Sequence, residues 1–221
     1  AFRLQREMQA SRIRPDLITY NSLLSVCRTA GMWKESLQLL NELKAAGLRG
    51  DVITYSTIIS TCDKTRQPDT ALRLFAEMQE LGLKPNVISY NSLISTLSRA
   101  GRQDAAFQVR EDMERAGVKP NVVTYSALIS ACRHKNQWVK AFELFLDMHV
   151  QGLHPDPLTF NALLVVCQRS GQWEQALDVL EWMKEGGMEA NVRMYCAVIN
   201  ACGHAGRLDK AFEVLEQMTK G

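Results

Sequence analysis

A five-residue pattern recurs through this chain at a fixed spacing of 35 residues, and that period leaves little freedom in the fold. Leu17-Ile18-Thr19-Tyr20-Asn21 returns as Val52-Ile53-Thr54-Tyr55-Ser56, Val87-Ile88-Ser89-Tyr90-Asn91 and Val122-Val123-Thr124-Tyr125-Ser126. It returns twice more as Pro157-Leu158-Thr159-Phe160-Asn161 and Val192-Arg193-Met194-Tyr195-Cys196. The chain therefore reads as a single array over residues 1–221: a partial repeat 1–16, full repeats 17–51, 52–86, 87–121, 122–156 and 157–191, and a terminal repeat 192–221. Self-similarity at such a period marks supersecondary units that stack, because one unit alone cannot bury its apolar face.

Each repeat punctuates as helix, turn, helix, turn. In 157–191, Thr159 is placed to cap a helix with Leu163, Leu164 and Cys167 on its apolar face, and Gly171 ends it. A second helix starts near Trp173, carries Ala176, Leu177, Leu180 and Met183 at helical spacing, and stops at Gly187. The second stop recurs as Gly47, Gly82, Gly117 and Gly152; the first recurs as Gly31, Gly101, Asn136 and Gly206, with Arg66 breaking the pattern. Ser36, Ala71, Ala106, Ala141, Ala176 and Ala211 are small where two helices must approach. No strand-like alternation accompanies these signals, so the expected fold is all-α, an α-solenoid of stacked antiparallel helical hairpins. Residues 1–16 read as an unpaired second helix (Phe2 and Met8 match Phe142 and Met148), and Phe212, Leu215 and Met218 stay in register to the end. With Ala1 in place of an initiator Met, this suggests a mature product or a piece of a longer array.

Apolar residues make up 46% of the sequence, enough for a continuous core, and no apolar run approaches the roughly 18 residues of a membrane span. The net charge of +2 neither demands nor excludes a nucleic acid. Cys27, Cys62, Cys132, Cys167 and Cys202 occupy one register, and Leu97 fills it in the remaining repeat. A place interchangeable with Leu is a packing place, not a metal ligand or a disulfide; Cys196 lies outside that register. Trp33, Trp138 and Trp173 share a register suited to packing between helices. The histidines are scattered, and no catalytic constellation, metal site or cofactor site recurs, so no enzyme is expected.

Two registers are polar yet chemically narrow. The residue after the aromatic reads Asn21, Ser56, Asn91, Ser126, Asn161, Cys196. The last of each repeat reads Asp51, Asn86, Asn121, Asp156, Asn191, with Asp16 closing the leading fragment. Helix capping explains the closing Asp or Asn well. It explains the other register poorly, because a residue after Tyr20 already lies in the first turn.

The period, the V-x-T-Y-N/S opening and the A-L/F…M…G-x-x-P-D/N close resemble the pentatricopeptide repeat family, especially its P class of uniform 35-residue motifs. The tetratricopeptide alternative has a different period and opening. The resemblance implies a right-handed superhelix in which each repeat binds one base of single-stranded RNA. It implies that Asn21, Asp51, Ser56, Asn86, Asn91, Asn121, Ser126, Asp156, Asn161 and Asn191 read bases. It also implies that Ile18, Ile53, Ile88, Val123 and Leu158 clamp them. Hydrogen-bond chemistry rationalises part of this code: Asp only accepts, favouring U and G, whereas Asn also donates, serving A and C. Ser leaves room for a purine and Asn suits a pyrimidine. With RNA running 5′ to 3′ along the array, the expected target is 5′-U-A-Y-G-Y-3′, where Y is C or U. Cys196 and Arg193 depart from the family's pattern, so the terminal repeat is not expected to read a base.

A basic row, Lys64, Arg99, His134, Arg169 and His204, with Thr29 as its exception, falls near the end of each first helix. It suits successive phosphates and equally suits the helix dipole. The family further implies action on organelle transcripts (processing, stabilisation or translation) in a mitochondrion or chloroplast, alongside other proteins of an RNA complex. A protein-binding scaffold is the leading alternative, and the targeting arm of a longer enzyme is a third.

Overall fold

The structure is a computed structural model that describes residues 14–134 and 137–220. Phe2, Met8 and Asn136, which figured in the sequence reading, lie outside the described residues. Among those described the chain is all-α, with twelve helices and no strand. In chain order they are α1 (Leu17–Ala30), α2 (Trp33–Ala45), α3 (Val52–Thr65), α4 (Pro68–Glu80), α5 (Val87–Arg99) and α6 (Gln103–Arg115). There follow α7 (Val122–Cys132), α8 (Trp138–Val150), α9 (Pro157–Ser170), α10 (Trp173–Glu185), α11 (Val192–His204) and α12 (Leu208–Lys220).

The chain divides into two compact units, one of Ala1–Ala100 with Ala105–Lys119, the other of Gly101–Asp104 with Pro120–Gly221. In the first, α1, α3 and α5 stack side by side, while α2 and α4 each pack against their own first helix and the next one. The second repeats the scheme: α7, α9 and α11 stack, with α8 and α10 wedged behind successive first helices. Each unit is thus a run of α-solenoid. A hairpin's inner apolar stripe is covered by its neighbour rather than by itself.

The core follows the registers read from the sequence. Cys27, Cys62, Cys132, Cys167 and Cys202 are fully buried, as is Leu97 in their register. Ser36, Ala71, Ala106, Ala141 and Ala176 are fully buried where first and second helices meet. The aromatics near the first-helix starts join this core, with Tyr55 and Tyr125 at 1% and 2% exposure.

The helix starts required one correction. Thr159 does not cap α9; Asp156 does, accepting from the Thr159 N–H at 2.7 Å. Pro157 is the first helical residue, where its fixed φ and missing N–H cost nothing, so the cap falls one place before it. At the other end of the first helices, Gly31 takes φ +68° and lets the Met32 N–H close back on the Cys27 carbonyl. Arg66 occupies the same place with φ +56°, so the turn geometry is kept although the residue is not glycine.

Candidate nucleic-acid interface

The closing Asp or Asn of each repeat is the N-cap of the next first helix. Asp16, Asp51, Asn86, Asn121, Asp156 and Asn191 each sit in extended backbone and accept the N–H three residues on. At Asp51 the Thr54 N–H (2.8 Å), the Thr54 hydroxyl (2.9 Å) and the Asn21 amide (3.3 Å) all meet one atom, Oδ1. Asp156 likewise receives the Thr159 N–H and hydroxyl on Oδ1, both at 2.7 Å. Asn86 receives Ser89 N–H and hydroxyl on Oδ1 at 2.9 and 3.0 Å. Capping therefore occupies one side-chain atom. The other differs with residue type: an acceptor oxygen in Asp, an NH₂ donor in Asn. Burial raises the Asp51 carboxyl, but the hydrogen bonds from Thr54 and Asn21 outweigh it and hold the group below the ordinary carboxylate range. It is an anion at neutral pH.

The residue after the aromatic lies inside the first turn of the same helix, where it caps nothing. Asn21 approaches Asp51, its partner at the close of the repeat, through the 3.3 Å bond. Ser56 approaches Asn86 more weakly, at 3.5 Å, and turns its hydroxyl back on the Val52 carbonyl at 2.6 Å. Ser126 does the same with Val122 at 2.8 Å. The serines are thus retracted against the helix, while Asn21 projects an amide. Ser56 and Asn91 are buried, at 5% and 8% exposure.

Three places earlier on each first helix stands a row of aliphatic side chains that burial does not explain. Ile18 is 74% exposed, Ile53 and Ile88 61%, Val123 54% and Leu158 69%. Each residue of this row lies on the same first helix as a narrow polar residue three places on. An aliphatic edge beside a hydrogen-bonding group suits a flat, polar-edged ligand.

The basic row divides. Lys64 and Arg169 are exposed and free of ion pairs among the described residues. Arg99 lies 3.7 Å from Asp63 Oδ1, and the Arg133 Nε–H points to His134 Nε2 at 3.1 Å. His204 meets the Gln168 carbonyl at 3.0 Å through Nδ1. Among the described residues no group of three or more His, Cys, Asp or Glu is placed to hold a metal ion.

The sequence reading missed the third residue of each repeat. Thr54 Oγ1 donates to Asn21 Oδ1 at 2.8 Å as well as meeting Asp51, so it touches both residues of the preceding repeat's pair. The signal was available, since Thr19, Thr54, Ser89, Thr124 and Thr159 all carry a hydroxyl and only Met194 lacks one.

Stacked helical hairpins with a one-per-repeat polar pair beside an exposed aliphatic row define a helical-repeat protein of α-solenoid class. The sequence matches the pentatricopeptide repeat domain over residues 1–30, 38–99, 73–135 and 143–205, and the PPR repeat over 18–48, 123–153 and 193–221. The chain belongs to the pentatricopeptide repeat family. Similar solved structures include the pentatricopeptide repeat protein PPR10 in complex with an 18-nucleotide psaJ RNA element, at 28% identity and a TM-score of 0.66. That match covers 94% of this chain and 29% of PPR10, so the chain spans under a third of that relative. PPR10 from maize matches at 25% identity over 100% of this chain and 36% of its own, with a TM-score of 0.60. The PPR domain of Arabidopsis thaliana protein-only RNase P 1 in complex with tRNA matches at 16% identity, covering 90% and 96%, with a TM-score of 0.67, a likeness of fold alone. No curated protein sequence matches this one. No helix among the described residues is long and apolar enough to cross a membrane.

Proposed function

We propose that the chain binds single-stranded RNA with sequence selectivity, one base per repeat, and carries no catalysis of its own. The observation that carries this reading is the divided use of the closing residue: Oδ1 caps the helix, and the second atom remains for a ligand. An Asp oxygen there accepts from the N–H on the pairing edge of U or G, and an Asn NH₂ donates to the ring nitrogen of A or C. The retracted Ser56 and Ser126 leave space for a purine, and the projecting Asn21 favours a pyrimidine. The exposed Ile18, Ile53, Ile88, Val123 and Leu158 clamp the base faces.

The pairs then read as follows. Asn21 with Asp51 takes U, Ser56 with Asn86 takes A, and Asn91 with Asn121 takes C or U. Ser126 with Asp156 takes G, and Asn161 with Asn191 takes C or U. The target is 5′-U-A-Y-G-Y-3′. Lys64 and Arg169, unpaired, are the row's best candidates for phosphates; Arg99 and His134 contribute after leaving their present partners. The setting, by family, is an organelle, a mitochondrion or chloroplast, where such binding governs transcript processing, stability or translation.

The test is binding to a single-stranded RNA containing UACGC, to the same RNA with its G changed to A, and to duplex RNA. Tightest binding to the first is expected, with each well-stacked base worth about 1–3 kcal/mol. Equal binding to all three would overturn base reading. A scaffold role is the second reading. It draws on the second unit's apolar surface, where Leu146 and Trp182 are exposed beside Phe145, and predicts no preference among the three RNAs.

A further inference from the structure

Three hydroxyls in the third place of a repeat each join the two polar residues that close a site in the repeat before. Thr54 Oγ1 lies 2.8 Å from Asn21 Oδ1 and 2.9 Å from Asp51 Oδ1. Ser89 Oγ lies 2.7 Å from Ser56 Oγ and 3.0 Å from Asn86 Oδ1. Thr159 Oγ1 lies 2.7 Å from both Ser126 Oγ and Asp156 Oδ1. All three are fully buried, so no water competes for these contacts.

The consequence is orientation. Asn21 has its Oδ1 turned to the Thr54 hydroxyl and its Nδ2 to Asp51. A flipped amide would set Oδ1 against the Asp51 carboxylate, two acceptors facing each other, so the pair has one good arrangement. That arrangement leaves an N–H of Asn21 beside the second oxygen of Asp51, a donor next to an acceptor. A carbonyl next to a ring N–H, the pairing edge of uracil, is its complement.

Asn161 shares the register of Asn21 but not its environment. The third residue of the following repeat is Met194, buried at 1% exposure and unable to donate. Asn191 still caps, accepting the Met194 N–H at 3.1 Å, yet Asn161 has no hydrogen bond to any described residue. One asparagine is held at both ends of its amide and the other at neither.

We propose that the third-place hydroxyl is a positioning group that sets the base discrimination of the preceding repeat, and that Met194 leaves the Asn161–Asn191 pair permissive. This rests on the base-reading proposal above. The Asn161 amide is free to turn either end outward, which weakens discrimination at the fifth base.

The experiment measures affinity of the whole chain for RNAs in which the first or the fifth base is each of the four. Thr54→Val should lower the ratio of best to worst first base by roughly 2- to 10-fold, the range of one hydrogen bond, and Thr54→Ser should restore it. Met194→Thr gives up some buried packing, which lowers affinity alike for all four bases, and should raise the ratio at the fifth base by a similar factor. Asp51→Asn, which alters a reader directly, separates the two levels. If it moves the first-base preference while Thr54→Val and Met194→Thr change no ratio, the positioning role is wrong and base reading stands. If Asp51→Asn moves nothing, base reading fails and the positioning role falls with it. A uniform loss of affinity in Thr54→Val with unchanged ratios is a structural effect and also overturns the proposal.

Discussion

The hydroxyl of Tyr125, in the first turn of α7, donates to Asp147 Oδ2 at 2.7 Å, tying the two helices of one hairpin across 22 residues of chain. Tyr55 makes the same bond to Glu77. In the next repeat both partners change together: Phe160 has no hydroxyl and Trp182 no carboxylate, and the Phe145 ring lies 5.7 Å from one and 5.9 Å from the other. A polar tie is replaced by an aromatic one. Tyr125→Phe should therefore cost about 1 kcal/mol of stability. Phe160→Tyr should also destabilise, because its new hydroxyl would face the Trp182 side without a carboxylate. Denaturant unfolding of the two variants checks this, and a stabilised Phe160→Tyr would contradict the exchange.

The cysteines give a sharp chemical contrast. Burial pushes the Cys167 thiol up to about 12 and Cys62 and Cys132 up to about 11, and it also raises Cys27 and Cys202. Cys196 is exposed. Thiolate is the reactive form, so one of the six thiols should react quickly with a thiol reagent at neutral pH in the folded chain, and all six after unfolding. Mass spectrometry should place the fast label on Cys196. Rapid labelling of Cys167 would mean that its hairpin opens far more easily than its packing indicates.

Helix existence and core membership were legible in the sequence because they depend on the period alone. Leu97 in the cysteine register and Ala106 in the small-residue register could be assigned before any coordinates. The cap was misplaced at Thr159 because a capping box presents two candidates three residues apart, and hydroxyl chemistry alone does not say which one leads. Arg66 was read as a break because its side chain argues against a left-handed backbone. The hairpin's closure imposes that conformation regardless. The link from Thr54 to Asn21 was hidden for another reason: it joins residues 33 apart, and no local rule connects them.

The left-handed Arg66 offers a direct test of that imposed turn. A non-glycine residue at φ +56° carries a cost of roughly 1 kcal/mol, part of which glycine recovers against its greater freedom when unfolded. Arg66 is exposed, so its side chain contributes little packing. Arg66→Gly should leave the fold unchanged and raise stability by up to about 1 kcal/mol, read as a higher unfolding midpoint. A fall in the midpoint would show that the arginine stem packs usefully on the turn.

Glu77 makes stability depend on acid. Burial raises its carboxyl, but the Lys44 ammonium at 2.6 Å and the Tyr55 hydroxyl outweigh that and hold it below the ordinary glutamate value. With the folded value the lower one, the unfolded chain takes up the proton first as pH falls. The contribution is complete above an ordinary glutamate pKa of about 4.3 and disappears as pH drops through the folded value. Glu77→Gln keeps an acceptor for Tyr55 but removes the titration. It should be somewhat less stable than the parent at neutral pH, and the difference should shrink as pH falls below that ordinary value. A constant difference across that range would rule out the ion pair as its source.

Asp156→Asn isolates the reading atom from the capping atom. Asn86, Asn121 and Asn191 cap their helices as Asp51 and Asp156 do, through Oδ1 on the N–H three residues on, so the substitution should preserve α9. Only the second atom changes, from an oxygen that accepts to an NH₂ that donates. Guanine offers an N–H at that edge and adenine a bare ring nitrogen, so the preferred fourth base should move from G to A. The shift in the G-to-A affinity ratio should be roughly tenfold or more, as expected where a charged acceptor is exchanged for a neutral donor. Unchanged helix content alongside the shift would assign the effect to the ligand side of the residue. A preference that stays with G would mean that the open oxygen of Asp156 does not face the base, and that the cap is its whole role.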